Sequence, residues 1–499
     1  MPEIKTIGIV GSGAMGRGIA QIAAVAGIDV RLWDGNPDAP VEASAFVARM
    51  LRRQADKGRI KASAAEAAIG RITIAGALSD LAAADAVVEA IIEDIDIKRT
   101  LFAELDAIVA DDCILASNTS SLPVTALASA VRNPGRVAGF HFFNPVPLMK
   151  VVEVIATPMT GDTVIADLCA LAERIGHRPV RAADSPGFLV NHAGRGLSTE
   201  GLRIVTEAIA TPQQVDDVMR EGAGFRMGPF ELFDLTGLDV SFPVMESIYN
   251  QFYQEPRFRP APLARLRHTA GLLGRKTGRG FYRYDDGRKI VASEKPVPKA
   301  EAMPVWLGEA PTEVHDLIRD LGAVIDHGAT PLPESLCLVA PVGVDATTTA
   351  HCLGLDPART VAVDPLFGLD GRRTLMTTPV TDAIFRDAAH ALLASDSKPV
   401  TVIHDSPGFI AQRVVAAIVN IGCDIAQQRI ATPADIDAAV KLGLGYPKGP
   451  LGLGDAVGAG RITEILEAMH AFYGDARYRP SPWLKRRALL GVSLTTPEG

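Results

Sequence analysis

The sequence predicts an α/β domain followed by an all-α domain; in the second half of the chain the α/β domain recurs in reduced form and the helical domain is present a second time. Three observations lead to this fold class. A strand, a glycine-rich turn and a helix open the chain, a long helical pattern without strands follows residue 184, and the motif DSPGF occurs twice. The length of 499 residues agrees, because it is enough for three or four ordinary domains.

Composition and charge argue against several classes of protein. The chain has 47 % hydrophobic and 22 % charged residues, as a globular protein does, and its net charge of −8 disfavours nucleic acid or an anionic membrane as partner. The five cysteines are scattered and lack metal-ligand spacing, so we expect reduced thiols and no metal site. The N-terminus begins a strand directly and no run of about 18 apolar residues occurs, so we expect a cytoplasmic protein without a membrane segment.

The first strand and helix carry a dinucleotide-binding pattern. The strand-like run of residues 4–10 is followed by glycines in G-x-G-x-x-G spacing. The candidate cofactor residues of this turn are Gly11, Gly13, Ala14, Met15 and Gly16. The first glycine permits a tight turn, the second lets the backbone approach a pyrophosphate, and the third lets helix and strand pack closely. A second strand ends at Asp34, where a carboxylate accepts a bond from a ribose 2′-hydroxyl and repels a 2′-phosphate. We therefore predict a Rossmann domain that binds NAD; a glycine-rich turn in an unrelated α/β protein is the alternative.

Two later segments contribute charged candidates. Residues 37–70 predict one or two solvated helices, in which Lys57 belongs either to an ordinary solvated face or to a site for ligand phosphates. Residues 84–93 predict a third core strand ending at Glu93, at the edge of a parallel sheet where ligands bind. A solvated strand end is the alternative for Glu93, and Lys98 follows in the first turns of the next helix.

The stretch 135–155 carries the candidate catalytic pair. One apolar run ends at His141, a loop broken by prolines contains Asn144, and a second apolar run contains a single carboxylate, Glu153. An ionised carboxylate in a buried strand needs a partner, and His141 lies within reach. A histidine held by a buried carboxylate has a fixed tautomer, which suits a general base. The alternative is a structural histidine with Glu153 in solvent.

Two polar candidates lie outside this stretch. Ser120 belongs to a polar cluster, residues 118–121, that follows another predicted strand; such a cluster is commonly a helix cap. Asn191 lies just inside the first helix of the region after residue 184, near a domain junction where a cleft would form. Packing or capping is the alternative role for Asn191. A basic, glycine-rich segment, residues 274–284, closes this region.

An internal repeat organises the second half. DSPGF at residues 184–188 returns at 405–409, an offset of 221 residues that also relates many positions of the two helical regions. The region before the second copy is an eroded dinucleotide domain, without the glycine triplet, with Thr374 in the place of Glu153 and with Gln412 in the place of Asn191. We therefore expect the second half neither to bind NAD nor to catalyse. The predicted domains are a Rossmann domain (1–183), a helical domain (184–287), a linker (288–302), a reduced Rossmann-like domain (303–403) and a second helical domain (404–499).

These motifs together resemble the L-3-hydroxyacyl-CoA dehydrogenase family in its long bacterial form. The resemblance rests on GSGAMGRGIA, VVEAIIED, ASNTSSL, HFFNPVPLMKVVEV, DSPGFLVN and GRKTGRGFY, in family order over residues 4–284. It implies NAD-dependent oxidation of an L-3-hydroxyacyl-CoA to the 3-oxoacyl-CoA. The implied substrate is 3-hydroxybutyryl-CoA or 3-hydroxyadipyl-CoA, in fatty-acid β-oxidation or phenylacetate degradation.

The resemblance also implies roles for single residues. His141 would be the catalytic base and Glu153 its partner, while Ser120 and Asn191 would hold the reacting oxygen of the substrate. Ser120 would also lie by the cofactor. The other implied contacts are Glu93 and Lys98 at the nicotinamide ribose, Asn144 beside the cofactor, and Lys57 at the coenzyme A phosphates.

Two other functions are compatible with the sequence. A dehydrogenase of a free hydroxy acid on the same two-domain plan would act without coenzyme A. A non-catalytic, structural or regulatory NAD-binding protein would show damage to the His141–Glu153 pair, but such damage occurs only in the second half. Because single-copy family members pair through their helical domains, the second helical domain is expected to act as an internal pseudo-dimer partner. Whether the chain also forms a homo-oligomer is open.

Overall fold

The structure, a computed structural model, describes residues 4–498, which form two compact units. The first unit contains the residues up to His192 together with Gln428–Leu444, and the second contains Ala193–Gln427 and the residues from Gly445 onward. None of the helices within residues 4–498 combines the length and the apolarity that a membrane crossing needs.

An eight-stranded sheet forms the centre of the first unit. Its strands are β1 (Thr6–Val10), β2 (Asp29–Trp33), β3 (Ile72–Ile74), β4 (Ala86–Glu89), β5 (Ile114–Ser117), β6 (Val137–Phe142), β7 (Val151–Ala156) and β8 (Arg178–Ala183). The strand order is β3-β2-β1-β4-β5-β6-β7-β8, and β6 and β7 pair antiparallel while the other neighbours are parallel. The chain reverses direction across the sheet between β1 and β4. The carboxyl ends of these two strands therefore flank the crevice in which such sheets bind ligands.

Helices cover both faces of this sheet. They are α1 (Ala14–Val25), α2 (Ala39–Asp56), α3 (Ala62–Gly70), α4 (Ile95–Ile108), α5 (Val124–Ala128) and α6 (Asp162–Arg174). Alternate residues of β4 and β5 belong to two separate hydrophobic clusters, one with α1, α2 and α6 and the other with α4 and α5. Side chains alternate across a strand, so the two clusters are the two faces.

The strand predicted over residues 84–93 is shorter than expected. It ends at Glu89, four residues before Glu93, so the prediction that Glu93 ends a strand is wrong. Its neighbours explain this: Val10 of β1 and Ser117 of β5 are the last residues that pair with it, both at the level of Glu89. Beyond that level the chain has no strands to pair with. The edge strand β3 was not predicted, because it has only three residues and two of them are exposed.

Six helices follow the first sheet, as the sequence predicted. They are α7 (Val190–Ala193), α8 (Arg195–Thr206), α9 (Pro212–Asp217), α10 (Pro229–Thr236), α11 (Leu238–Gln251) and α12 (Pro262–Thr269). A short hairpin of β9 (Arg283–Asp285) and β10 (Arg288–Ile290) closes this region. The second strand of the hairpin lies at the start of the segment predicted to be a linker.

A six-stranded sheet lies in the second unit and repeats the plan of the first. Its strands are β11 (Val305–Trp306), β12 (Ile325–Asp326), β13 (Leu336–Val339), β14 (Thr360–Val363), β15 (Arg373–Thr377) and β16 (Val400–Ile403). Their order is β12-β11-β13-β14-β15-β16, which is the order of the first sheet with β3 and β4 deleted. The antiparallel pair recurs in the same place, as β14 and β15. The helices of this region are α13 (Thr312–Asp320), α14 (Ala346–Leu353) and α15 (Ala383–Leu393).

Five helices complete the described chain and confirm the predicted fold class. They are α16 (Ile410–Gln427), α17 (Pro433–Leu444), α18 (Pro450–Val457), α19 (Ala459–Tyr473) and α20 (Pro482–Leu490). In the second unit α16 packs along α8, and in the first unit α17 packs against β7 and β8. The molecule therefore combines a Rossmann-type sheet, a reduced copy of it and two sets of helices.

Candidate active site

The glycine turn between β1 and α1 has the geometry that a dinucleotide pyrophosphate requires. Gly11 has a φ of +103°, which favours glycine, and a Cβ on Gly16 would come within 1.8 Å of the carbonyl oxygen of Gly11. At Gly13 a Cβ would meet nothing within 4 Å, so open space lies over the turn there. Gly13 is also the N-cap of α1, so within the described chain no side-chain cap occupies the first N–H groups of this helix. These N–H groups and the positive end of the helix dipole suit an anionic pyrophosphate.

Asp34 follows β2 beside this turn. One oxygen of its carboxylate accepts a hydrogen bond from the Ser12 N–H (2.7 Å) and the other from the Asn36 N–H (3.0 Å). The side chain is thus fixed next to the glycine turn. A carboxylate in this place accepts a ribose hydroxyl and repels a 2′-phosphate, so these residues fit NAD.

His141 and Glu153 form a buried pair on the antiparallel strands β6 and β7. They are direct partners in the strand register, and Nδ1 of His141 lies 2.5 Å from Oε2 of Glu153. The side chains are 3 % and 0 % exposed. A carboxylate beside Nδ1 accepts a hydrogen bond from the Nδ1–H group, and this tautomer of the neutral imidazole presents Nε2 with its lone pair. The rings of Phe143 and Phe188 pack on the imidazole, with centroid distances of 4.5 and 5.7 Å.

The other oxygen of Glu153 is held by backbone. Oε1 accepts hydrogen bonds from the N–H groups of Leu189 (3.0 Å) and Val190 (2.7 Å), just before and at the start of α7. The chain reaches this position through two consecutive residues with positive φ, Gly187 (+75°) and Phe188 (+50°). A positive φ at a non-glycine residue such as Phe188 costs about 1–3 kcal/mol. This conformation directs the next two N–H groups towards the Glu153 carboxylate.

Ser120 and Asn191 join the same cluster. The hydroxyl of Ser120 lies 3.1 Å from Nε2 of His141, and the amide of Asn191 donates to the carbonyl oxygen of Ser120 at 3.4 Å. The polar cluster around Ser120 therefore faces the candidate base. Helix α5, which follows it, has Pro123 as its N-cap and receives no side-chain cap from the cluster.

Glu93 contacts the backbone of Ser120, and Lys98 pairs with Glu93. Oε1 of Glu93 accepts bonds from the Thr119 hydroxyl (2.7 Å) and from the N–H groups of Ser120 (2.8 Å) and Ser121 (3.1 Å). Nζ of Lys98, which is 1 % exposed, lies 3.3 Å from Glu93 and 2.5 Å from Glu89. Burial raises the pKa of the Glu93 carboxyl, but the charge of Lys98 and these hydrogen bonds outweigh it, so the pKa lies below its ordinary value.

Asn144 and Lys57 lie elsewhere in the first unit. Both line a cavity of about 330 Å³ beside the start of α1. Its wall is part apolar and part cationic, from Phe46, Met50, Val146, Pro147, Leu148, Arg17, Arg53 and Arg59, among others. Asn144 and Lys57 are both exposed. The cavity suits a ligand that carries both an apolar chain and negative charge.

Several residues of this network were not predicted from the sequence. Glu89 shows the same signal as Glu153, a single carboxylate inside an apolar run, and that signal could have identified it. Its carboxylate is 0 % exposed and accepts the Ser117 hydroxyl at 2.6 Å. The Leu189 and Val190 donors could not be found in the same way, because backbone direction leaves no trace in residue type.

Comparison with known proteins places the chain in a family. The model of the 3-hydroxyacyl-CoA dehydrogenase NAD-binding domain matches residues 6–185, and that of the C-terminal domain of the same family matches residues 187–284 and again 408–496. A 3-hydroxyadipyl-CoA dehydrogenase of Escherichia coli (strain K12) is 36 % identical over 490 residues, 98 % of both chains.

Solved structures agree with this. The structure of a 3-hydroxybutyryl-CoA dehydrogenase of Escherichia coli K12 matches with a TM-score of 0.86 and 35 % identity over 98 % of this chain and 99 % of that one. An (S)-3-hydroxybutyryl-CoA dehydrogenase of Ralstonia eutropha matches 57 % of this chain over its whole length, with 40 % identity and a TM-score of 0.56. The chain therefore belongs to the 3-hydroxyacyl-CoA dehydrogenase family and is an NAD-dependent oxidoreductase.

Proposed function

We propose that the first half of the chain oxidises the 3-hydroxyl group of an L-3-hydroxyacyl-CoA, with His141 as the general base. The observation that carries this proposal is the buried Glu153–His141–Ser120 arrangement, with contacts of 2.5 and 3.1 Å. The residues of the glycine turn, with Asp34, would hold NAD. When bound, NAD supplies a nicotinamide ring that accepts the hydride leaving C3 of the substrate.

In the proposed mechanism, Nε2 of His141 takes the proton of the substrate hydroxyl. Glu153 accepts the hydrogen bond from the Nδ1–H group of His141 throughout and stabilises the positive charge that develops on the imidazole ring. The Leu189 and Val190 N–H groups keep the Glu153 carboxylate in place during this step. Ser120 can exchange its bond to Nε2 for a bond to the substrate oxygen, and Asn191 holds the Ser120 backbone.

The cavity next to the glycine turn supports a coenzyme A thioester over a free hydroxy acid. Coenzyme A carries a pantetheine arm with both apolar and polar groups, joined to phosphate groups. The cavity offers apolar side chains, Met50 and Leu148, together with cationic ones, Lys57 and Arg53. Charged donors on a flexible stem are common phosphate ligands. We propose that Lys57 contacts a coenzyme A phosphate and that Asn144 supports the same wall.

For the acyl group we propose 3-hydroxyadipyl-CoA first and 3-hydroxybutyryl-CoA second. The Escherichia coli 3-hydroxyadipyl-CoA dehydrogenase aligns with 98 % of the chain, so its similarity includes both halves. The butyryl alternative is favoured by the structural match with a TM-score of 0.86, a 3-hydroxybutyryl-CoA dehydrogenase. Both assignments concern the same reaction and differ in the acyl tail. The first substrate would correspond to phenylacetate degradation and the second to fatty-acid metabolism, as the family resemblance implies.

The test compares initial rates of NADH formation with the two thioesters and with free L-3-hydroxybutyrate. We expect a higher kcat/KM for the adipyl thioester and no activity with the free acid. A higher kcat/KM for the butyryl thioester would move the assignment to the alternative. Turnover of the free acid at a comparable kcat/KM would contradict the coenzyme A proposal.

We further propose that the reduced sheet of the second half neither binds NAD nor catalyses. Asp364 lies in the place of His141, since its N–H donates to the carbonyl oxygen of Thr374, which stands where Glu153 stands in the first half. The Gln412 amide donates a hydrogen bond to the Asp364 carboxylate at 3.0 Å, so the side chain in the place of His141 is already hydrogen-bonded within the protein. Where the first half has its glycine turn, Gly308 packs against the ring of Trp306.

We propose that the second helical domain replaces the partner subunit of single-copy relatives. The support is a set of reciprocal contacts related by the offset of 221 residues. Ala183 N–H donates to the Ile430 carbonyl oxygen (2.7 Å) in the first unit, and His404 N–H donates to that of Ile209 (3.1 Å) in the second. Each residue of one pair is the repeat of a residue in the other. Such exchange is typical of an isologous, two-fold interface.

The remaining assignments are also proposals. The match to the family's NAD-binding domain ends at residue 185, and the first match to its C-terminal domain covers residues 187–284. These limits support the predicted domains 1–183 and 184–287. The second match, residues 408–496, supports a second helical domain over 404–499. We propose the cytoplasm as the compartment, on the grounds of the odd number and irregular spacing of the cysteines.

A further inference from the structure

The carboxylate of Glu89 is buried at the end of β4, outside the residues that the proposed mechanism uses. Its side chain is 0 % exposed. One oxygen accepts the Ile91 N–H (2.7 Å) and the ammonium of Lys98 (2.5 Å), and the other accepts the Ser117 hydroxyl (2.6 Å). A carboxylate with this many donors is held in a single orientation.

Two chains of contacts lead from Glu89 to the Ser120 segment. Through Lys98 the charge of Glu89 is connected to Glu93, whose carboxylate accepts the Ser120 and Ser121 N–H groups. Through Ser117 it is connected to Thr119, since the Ser117 oxygen accepts the Thr119 N–H at 3.1 Å. Both chains of contacts end on residues 119–121, the segment that carries the hydroxyl of Ser120.

Lys98 makes the first chain depend on charge. Its ammonium is 1 % exposed, and its two carboxylate partners are Glu89, which is 0 % exposed, and Glu93, which is 39 % exposed. An ammonium without water needs a fixed negative partner, and Glu89 is the buried one. Glu93 belongs to a segment, residues 90–94, without regular secondary structure. Its place therefore depends on the ammonium that Glu89 holds.

We propose that Glu89 is a positioning residue of the dehydrogenase. Through Lys98 and Ser117 it holds Glu93 and residues 119–121 in place, so that the Ser120 hydroxyl lies within hydrogen-bond distance of Nε2 of His141. This inference rests on the proposed function for the roles of Ser120 and His141. The test variant is Glu89→Gln, which keeps the shape of the side chain and removes its charge. Asp106→Asn is the matched control, because Asp106 belongs to another buried ion pair on α4, with Arg136, at the opposite ends of the strands.

Two measurements on the full chain decide the proposal. In Glu89→Gln we expect kcat to fall roughly tenfold to a hundredfold while KM for the acyl-CoA changes less than about threefold, because a misplaced group lowers the rate more than binding. We also expect the Ser120 and Ser121 amide protons to exchange with D₂O roughly tenfold faster or more, since their acceptor is no longer fixed. Asp106→Asn should lower the melting temperature but leave both readouts near those of the wild type.

Several results would overturn the proposal. An unchanged kcat in Glu89→Gln, wild-type exchange at Ser120 and Ser121, or an equal loss of kcat in Asp106→Asn would each contradict it. If the wild type oxidises no hydroxyacyl-CoA, the proposed function fails, and amide exchange alone then decides the positioning role. If Glu89→Gln does not fold, Ser117→Ala replaces it; faster exchange at Ser120 supports the proposal and wild-type exchange overturns it.

Discussion

At the scale of single residues, the site consists of buried charges that are almost fully hydrogen-bonded. Glu153 accepts from His141 and from two backbone N–H groups, and Lys98 lies between two carboxylates. Removal of water from one ionised group costs several kcal/mol, so each charge is stable only with its partners in place. A single substitution in such a network therefore affects the geometry of its neighbours as well as its own contact.

Lys57 provides a test of the coenzyme A assignment. For Lys57→Ala we expect KM for the acyl-CoA to rise roughly threefold to tenfold with little change in kcat, because the phosphates lie far from the reacting carbon. Steady-state kinetics at saturating NAD measures both constants. Lys61→Ala is the control, since Lys61 is exposed nearby but does not line the cavity. A fall in kcat with an unchanged KM would contradict the assignment.

Asp364, at the relic site, gives a prediction for pH. Burial raises the pKa of its carboxyl from 3.8 to about 6, although the Gln412 amide donates to it. Because the folded pKa is above the unfolded one, the stabilising contribution is complete below about pH 4 and is lost as the pH rises through 6. Relative to Asp364→Asn, the wild type should lose about 2 kcal/mol of unfolding free energy between pH 4 and 7.

Urea unfolding of both proteins at several pH values measures this difference. Asp370→Asn, at an exposed position in the same region, is the control and should follow the wild type at every pH. A difference between wild type and Asp364→Asn that stays constant from pH 4 to 7 would contradict the prediction.

The residues that sequence alone predicted are those with an unusual type in their context. Glu153 was found because a lone carboxylate in an apolar strand demands a partner, and His141 was the one in reach. Lys98 was expected to lie at the nicotinamide ribose; the sequence did not predict that its ammonium lies between the carboxylates of Glu89 and Glu93, where the packing of its helix against the sheet places it. Side-chain direction of this kind depends on tertiary packing and is not encoded in local spacing.

At the scale of elements, the β1–turn–α1 unit places three glycines for two different reasons. Gly16 and Gly11 serve the packing of the fold, because added Cβ atoms there would meet backbone at 1.8 and 2.6 Å. At Gly13 an added Cβ would meet nothing within 4 Å, so its lack of a side chain serves a ligand instead. The unit was predictable because its spacing encodes both requirements.

This difference separates two variants of the turn. Gly13→Ala should keep the melting temperature near that of the wild type while the Kd for NADH rises roughly tenfold or more, because the methyl group occupies ligand space. Gly16→Ala should lower both stability and affinity. Fluorescence titration with NADH and thermal unfolding measure the two effects. Gly70→Ala, where an added Cβ also meets nothing within 4 Å, is the control; equal behaviour of the Gly13 and Gly70 variants would contradict the prediction.

Element boundaries were less predictable than element types. The strand ending at Glu89 was predicted to continue to Glu93, since residues 90–92 are apolar. Strand length is set by the neighbours that offer hydrogen bonds, and β1 and β5 end at the same level. The apolar residues beyond this level therefore form a loop.

At the scale of the whole molecule, duplication gives one chain a second helical domain. Helix α8 packs along α16: a Cβ on Gly196 would lie within 3 Å of the Ile418 backbone, and Glu200 pairs with Arg413 at 2.7 Å. Glu200 is 2 % exposed and Arg413 is 0 % exposed. Loss of the second half would thus expose an apolar helix face and leave a buried carboxylate without its partner.

A fragment of residues 1–290 tests the internal pairing. We expect it to dimerise or aggregate at micromolar concentration, because the face of α8 that α16 covers would be free to pair with a second copy. Light scattering coupled to size-exclusion chromatography measures the mass, with the full chain as the reference. A fragment that is monomeric and has the full kcat would contradict the proposed role of the second helical domain.

The role of His141 as general base is tested by kcat for L-3-hydroxyacyl-CoA oxidation in His141→Gln beside the wild type. The variant keeps a polar side chain at the 3 % exposed position but cannot take up the proton of the substrate hydroxyl. We expect kcat to fall roughly 10²–10⁴-fold with a similar KM, as on removal of a general base. Turnover of His141→Gln within about threefold of the wild-type value would contradict the account, because some other group would then have to accept the proton.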